Sequence, residues 1–212
     1  MAKKFKFSAV TRSSGGLSRR IVRRALSTGQ GSQNEPSASG DENLKENPSA
    51  ESSSKTGKNE SKIYLDSSAL IRLYFTERDS RAIADFITRR SQPLAFSHLH
   101  ELEIKNAFRL KIFRGEASEK SAAAAIRLIE QDHAAGVLQR PNLNWFDVFR
   151  KAEALSSKHA SRIGSRSLDL LHVASALLLK MEDFLTFDDR QSALAGAAGL
   201  NCIAPSDSSR PR

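Results

Sequence analysis

Four carboxylates stand where an acid could do chemistry: Asp66, Glu103, Asp169 and Asp188. Asp66 leaves the apolar run Ile63 to Leu65 in KIYLDSSALIRLYF, where a dry strand gives way to a helix-like pattern. Glu103 lies in HLHELEIKNAFRLKIF, Asp169 at the head of SLDLLHVASALLL, and Asp188 directly after the strand-like FLTF. Each has an ordinary reading. Asp66 and Asp188 suit helix N-caps, and a first-turn acid such as Asp169 complements the helix dipole. At ~100° per residue, Lys105 and Arg109 mark a wet stripe of their helix. Glu101 falls near that stripe, whereas Glu103 points away from it, beside Ala107 and Leu110. Asp189 reads as no more than a cap. Taken together, the four acids come from different elements that can share one edge. Like charges ~4 Å apart at an effective dielectric near 20 repel by about 4 kcal/mol a pair. A hard divalent cation, Mg²⁺ or Mn²⁺, is the counter-charge that carboxylates accept.

The elements that must position these acids alternate. Strands are expected at Ile63–Leu65, Leu94–Phe96, Phe184–Thr186 and Asn201–Ile203, with Leu138 a poor candidate. Helices are expected over Ala69–Phe75, Arg81–Arg90, Leu99–Phe113, Ser118–His133, Trp145–His159, Ser167–Leu179 and Arg190–Ala198. The helix from Ser167 is apolar nearly all round and belongs in a core. Short strands separated by helices predict an α/β sandwich with a parallel sheet. Ligands of such sheets bind at the carboxyl ends of the strands, where Asp66 and Asp188 fall.

Composition bounds the rest. The chain has 212 residues and a net charge of +9, of which +5 lies in residues 1–60 and +4 in the remainder. Residues 1–61, rich in Ser, Gly, Lys and Arg, read as a disordered basic tail. A single domain is expected over 62–204, with a short tail over 205–212. Residues 1–34 carry eight Lys or Arg and no acid, superficially like an organelle transit peptide, but read as a solvated basic arm. One cysteine, Cys202, precludes an intrachain disulfide and suits a reducing, cytoplasmic setting. The run Leu170 to Leu179 is too short to span a bilayer, so no membrane partner is expected.

Other chemistries lack their residues. A phosphatase nucleophile at Asp66 wants a second acid two positions on, where Ser68 stands. No GxGxxG or GxxxxGK[ST] loop is present. His98 and His100 lack a zinc context, and His172, one turn after Asp169, reads as a core residue or a partner of the site. Arg72, Arg109, Lys111, Arg114, Arg162 and Arg166 are candidate RNA-backbone contacts. With a single tryptophan, Trp145, and few tyrosines, no stacking platform is evident.

The order YLDSSALI, HELEIKNA, SLDLLHVASAL, FLTFDDRQ resembles the PIN domain, specifically the VapC-like ribonuclease toxins, across residues 62–204. The resemblance implies a three-layer α/β/α sandwich with a central parallel sheet. It implies that Asp66, Glu103, Asp169 and Asp188 hold Mg²⁺ or Mn²⁺. Asp66 and Asp169 would serve chiefly as direct ligands; Glu103 and Asp188 would complete the site. Ser68 and Thr186 match small hydroxyl residues of the family's site. The activity implied is endoribonuclease cleavage by metal-activated water. The implied partners are RNA, a cognate antitoxin and a second copy in a homodimer. Two other readings remain: a catalytically inactive nucleic-acid-binding protein of the same fold, and a structure-specific DNA nuclease.

Overall fold

A computed structural model describes residues 60–203. The tails expected over 1–61 and 205–212 lie outside these residues, except for Glu60 and Ser61. Those two are anchored: Glu60 accepts hydrogen bonds from the Ser91 amide and hydroxyl, and the Ser61 carbonyl accepts one from Arg90.

Five strands and seven principal helices alternate along the described residues. The strands are β1 (Ile63–Leu65), β2 (Leu94–Ala95), β3 (Leu138–Gln139), β4 (Asp183–Leu185) and β5 (Asn201–Ile203). The helices are α1 (Ser67–Tyr74), α2 (Ser80–Thr88), α3 (His98–Phe113), α4 (Glu119–Ala134), α5 (Trp145–Leu155), α6 (Ser167–Leu178) and α7 (Asp189–Ala197). β1, β4 and β5 form one parallel sheet in the order β1-β4-β5; β2 and β3 form a second parallel pair, with β2 beside β1.

β1 and β4 are buried throughout, which is why Ile63–Leu65 and Phe184–Leu185 run apolar rather than alternating. In β1, Ile63 and Leu65 face a layer built from α1, α2, α3 and α4, with Ile83, Ile104, Phe108 and Ile129 in its core. Tyr64 faces the opposite layer of α5, α6 and α7, where Val148, Val173 and Leu194 pack. The register Tyr64 to Phe184 and Leu65 to Leu185 keeps like faces together across β4. Two helical layers enclosing a parallel sheet make the α/β/α sandwich that the alternation of elements predicts.

Several boundaries differ from the expectation. Leu138, a weak strand candidate, forms β3 by pairing with Leu94 of β2; tertiary pairing supplies what a two-residue run cannot. β4 starts one residue early, at Asp183, because Ser61, Asn201 and Arg90 neutralise and satisfy that buried acid. The segment after α5 does not stop at His159. It continues through a π-helical turn, Ser156–Ala160, and a last turn, Ser161–Ile163, ending at Gly164 with φ +73°. A left-handed residue ends a helix cheaply only when it lacks a Cβ.

Candidate active site

Asp66 emerges from β1 in register, its amide donating to Leu185 O at 3.0 Å. Parallel strands deliver each following helix with its N-terminus at the strand's carboxyl end, and Asp66 caps α1 there. Its side chain accepts from the Ala69 amide at 2.8 Å, the Ser68 hydroxyl at 2.8 Å and the Thr186 hydroxyl at 2.8 Å. The residue is only 4% exposed. Burial pushes its carboxyl up, against the pull of nearby His172 and of the hydrogen bonds from Ala69, Thr186 and Ser68. Among the described residues no Lys or Arg forms an ion pair with it.

Asp183, at the opposite end of the sheet, shows what a structural buried acid looks like. It is met by Ser61 Oγ at 2.5 Å, Asn201 Nδ2 at 2.9 Å and the Arg90 guanidinium at 3.0 Å. Burial raises its carboxyl, but these three partners outweigh burial and hold it below the usual range. Asp66 has hydrogen-bond donors and no such cation.

Asp188 follows β4 and caps α7, accepting from the Arg190 and Gln191 amides at 2.9 and 3.1 Å. Its own amide donates to Thr186 Oγ1 at 3.1 Å, so one hydroxyl joins Asp188 to Asp66. The buried Gln191 amide lies against that hydroxyl at 2.9 Å. Ser68 is tied to the same loop, accepting from the Phe187 amide at 3.4 Å.

Glu103 projects from α3 beside the start of α1. Its Oε2 accepts from Ser67 Oγ at 2.6 Å and is in close contact with His172 Nε2. Burial raises this carboxyl too, but hydrogen bonding to His172, that ring's proximity and the Ser67 hydroxyl bring it below the ordinary value. The packed face of α3 is Leu99, His100, Ile104 and Phe108, with Glu103 on its flank; Leu110, expected beside it on the packed side, is 40% exposed. Glu101 stands apart from the site. It pairs with Lys105 and Arg140, each at 2.8 Å, and those hydrogen bonds hold it at about 2.

Asp169 occupies the first turn of α6, accepting from the Arg166 amide at 2.9 Å. One turn further along α6, His172 reaches Glu103. Asp66 thus pairs with Asp188 through Thr186, and Glu103 pairs with His172, which lies one turn from Asp169 on the same helix. The adjacent residues Asp66 and Ser67 join the pairs.

In donor chemistry the set suits a hard divalent cation: carboxylates flanked by hydroxyls, with no thiolate among them. The set is not drawn together as a ligand cluster. Among the described residues no three His, Cys, Asp or Glu are grouped so as to hold a metal ion. Asp66, Asp169 and Asp188 each accept at a helix N-terminus, and Glu103 is engaged by Ser67 and His172.

Arg72 and Lys111, candidate RNA contacts by sequence, are committed within the fold. Arg72 donates to Ser68 O at 2.8 Å and stacks 4.0 Å from the Phe187 ring centroid, bracing the loops that carry Asp66 and Asp188. Lys111 pairs with Glu77 at 2.7 Å. Arg109, Arg114, Arg162 and Arg166 are exposed. Sequence reasoning missed Tyr64, Ser67 and Gln191. A signal existed for Tyr64: a hydroxyl inside a buried strand demands a partner. None existed for Gln191.

A parallel three-layer α/β/α domain with carboxylates set at its strand ends defines the class. Residues 63–197 match the PIN domain, and the chain belongs to the PIN-domain family. It is similar to Ribonuclease VapC46 of Mycobacterium tuberculosis (strain ATCC 25618 / H37Rv), 28% identical over 154 residues, covering 68% of this chain and 98% of the relative. It is also similar to Ribonuclease VapC35 of Mycobacterium tuberculosis (strain CDC 1551 / Oshkosh), 29% identical over 148 residues, covering 68% of this chain and 96% of the relative.

Proposed function

We propose that this chain is a divalent-metal-dependent endoribonuclease that hydrolyses RNA phosphodiester bonds and serves as the toxin of a toxin–antitoxin pair. One observation carries the reading most directly. Asp66 is a buried carboxylate, fixed by three donors, with no cationic side chain paired to it among the described residues. Folding that isolates a charge in this way normally supplies a counter-charge, as it does at Asp183. The relatives, both called ribonucleases, favour RNA as substrate over DNA flaps.

Asp66, Glu103, Asp169 and Asp188 would hold Mg²⁺ or Mn²⁺. A divalent ion bound to such carboxylates supplies Lewis acidity that makes water a nucleophile at neutral pH and offsets charge on phosphoryl oxygens. The chain's own residues do the positioning. Ser68, Thr186 and the Ala69 amide fix the Asp66 carboxylate, Ser67 and His172 fix Glu103, and Arg72 braces the two loops. Exposed Arg109, Arg114, Arg162 and Arg166 suit phosphate contacts that orient the RNA backbone.

The partner that silences such a site would insert a basic side chain among the acids. An apolar cleft of about 300 Å³ between α3 and α4, floored by Phe96, Ile104, Ile126 and Ile129, suits an amphipathic segment of the same partner. A cytoplasmic location is part of this proposal; among the described residues no helix is long and apolar enough to cross a membrane.

RNA cleavage with and without Mg²⁺, wild type against Asp66→Asn, tests the reading. Cleavage should require the ion and fall at least about 100-fold in the variant, the scale of losing an electrostatic catalytic group. Equal cleavage by both would remove the Asp66 metal site from the chemistry, and RNA binding without cleavage would leave a nucleic-acid-binding protein instead. Preference for DNA flaps would replace RNA as the substrate.

A further inference from the structure

Tyr64, His172 and Glu103 form a buried relay that runs from the centre of the sheet to the edge of the site. His172 Nε2 faces Glu103 Oε2, and Nδ1 faces the Tyr64 hydroxyl at 3.0 Å. A carboxylate only accepts, so the ring proton in that contact belongs on Nε2. With the ring proton on Nε2, Nδ1 is the acceptor and the Tyr64 hydroxyl the donor. Tyr64 cannot drift: it is wholly buried, stacked on Phe184 with ring centroids 5.5 Å apart, and 5.1 Å from the His100 ring. His100 is itself locked. The Ser97 amide donates to its Nδ1 at 3.0 Å, leaving Nε2–H to donate to Leu65 O at 2.9 Å. Ser67 Oγ supplies the second donor to Glu103 Oε2. Among the described residues Oε1 of Glu103 accepts no hydrogen bond.

We infer that His172, oriented by Tyr64, is a positioning residue for Glu103: with Ser67 it occupies Oε2 and leaves Oε1 as the oxygen that meets a divalent cation. The inference rests on the metal-site reading above and adds to it a tautomer, a donor and a named oxygen. A carboxylate with one oxygen held by two donors has lost its rotational freedom before an ion arrives. Outer partners of this kind tune metal sites through orientation rather than contact.

The test is Mn²⁺ binding to the full chain, followed by the electron paramagnetic resonance of free Mn²⁺, with circular dichroism reporting the fold. Wild type, Asp66→Asn, His172→Leu, His172→Gln and Tyr64→Phe are compared. His172→Leu should weaken Mn²⁺ binding by about 10–100-fold. His172→Gln, which keeps an N–H donor near Nε2, should restore most of that loss, and Tyr64→Phe should lose less than His172→Leu. Long-range ¹H–¹⁵N spectra should show the Nε2–H tautomer of His172 in the wild type and a mixed population in Tyr64→Phe. Wild-type affinity in His172→Leu alongside lost binding in Asp66→Asn would overturn the positioning role and leave the metal site standing. A Gln variant no better than the Leu variant, or an Nδ1–H tautomer, would overturn the role as well. A wild type that binds no Mn²⁺ would overturn both. Should His172→Leu not fold, the Gln and Phe variants decide by the same affinity and tautomer readouts.

Discussion

Asp66 and Asp183 sit at opposite ends of the same parallel sheet, both nearly excluded from water, and differ in one respect: Asp183 has Arg90 against it. That difference predicts opposite responses to neutralisation. Asp66→Asn removes a charge that burial already disfavours, so without metal the melting temperature should stay constant or rise by about 2–4 °C, equivalent to about 1 kcal/mol. Thermal unfolding in chelator measures it; a fall of several degrees would mean that Asp66 is a structural acid. Glu101 supplies a pH prediction. Its carboxyl is held at about 2 by hydrogen bonds from Lys105 and Arg140, below its value of roughly 4.3 in an unfolded chain. A depressed carboxyl stabilises the fold above the unfolded value and loses that contribution as pH falls toward the folded one. Glu101→Gln should therefore lower stability at pH 7 by about 1 kcal/mol or less, because solvent screens the partly exposed group. Denaturant titrations of the two proteins should converge between about pH 4.5 and pH 2.

At the scale of elements, the two ends of the sheet have separate tasks. Asp183 at the start of β4 gathers Ser61 before β1, Asn201 of β5 and Arg90 after α2. Removing the cation leaves a buried carboxylate with neutral partners only, so Arg90→Ala should destabilise the domain by about 3 kcal/mol. Chemical denaturation gives that number, and the proposed metal-dependent activity per folded molecule should be unaffected because this brace lies at the far ends of the strands. The opposite end collects helix N-termini: Asp66 and Asp188 cap α1 and α7, and Asp169 opens α6. Capping and metal binding are thus compatible uses of one carboxylate, since a cap engages one or two lone pairs and leaves others. The ordinary reading of each acid and the functional one describe the same side chains.

At the scale of the whole molecule, exposed apolar side chains and the basic N-terminal sequence bear on partners. Phe146 and Phe149 on α5 are 68% and 59% exposed, and Phe113 at the end of α3 is 87% exposed. The resemblance implies a homodimer, and the exposed Phe146 and Phe149 of one helix are where that expectation is tested. Sedimentation velocity should show a dimer that Phe146→Glu with Phe149→Glu shifts to monomer. The basic arm read from the sequence over residues 1–60 carries a conditional test: if it adds only electrostatic affinity for RNA, truncation shows it. Deleting them should leave metal-dependent turnover largely intact while the salt dependence of RNA affinity becomes shallower, because fewer counterions are released on binding.

The sequence alone determined the alternation of strands and helices, since side-chain periodicity and caps are local properties. It also separated the two acids of α3. Lys105 marked the face where Glu101 forms its ion pairs, and Glu103 lies off it. It was less reliable where an element exists only by association: Leu138 became a strand through β2, and Asp183 entered β4 through Arg90. What only the tertiary structure decided is the company each acid keeps. Tyr64, Ser67 and Gln191 lie within the quoted stretches, but their roles arise from contacts between positions as far apart as Tyr64 and His172. Burial and hydrogen bonding across that distance are properties of packing, and no local pattern of residues encodes them.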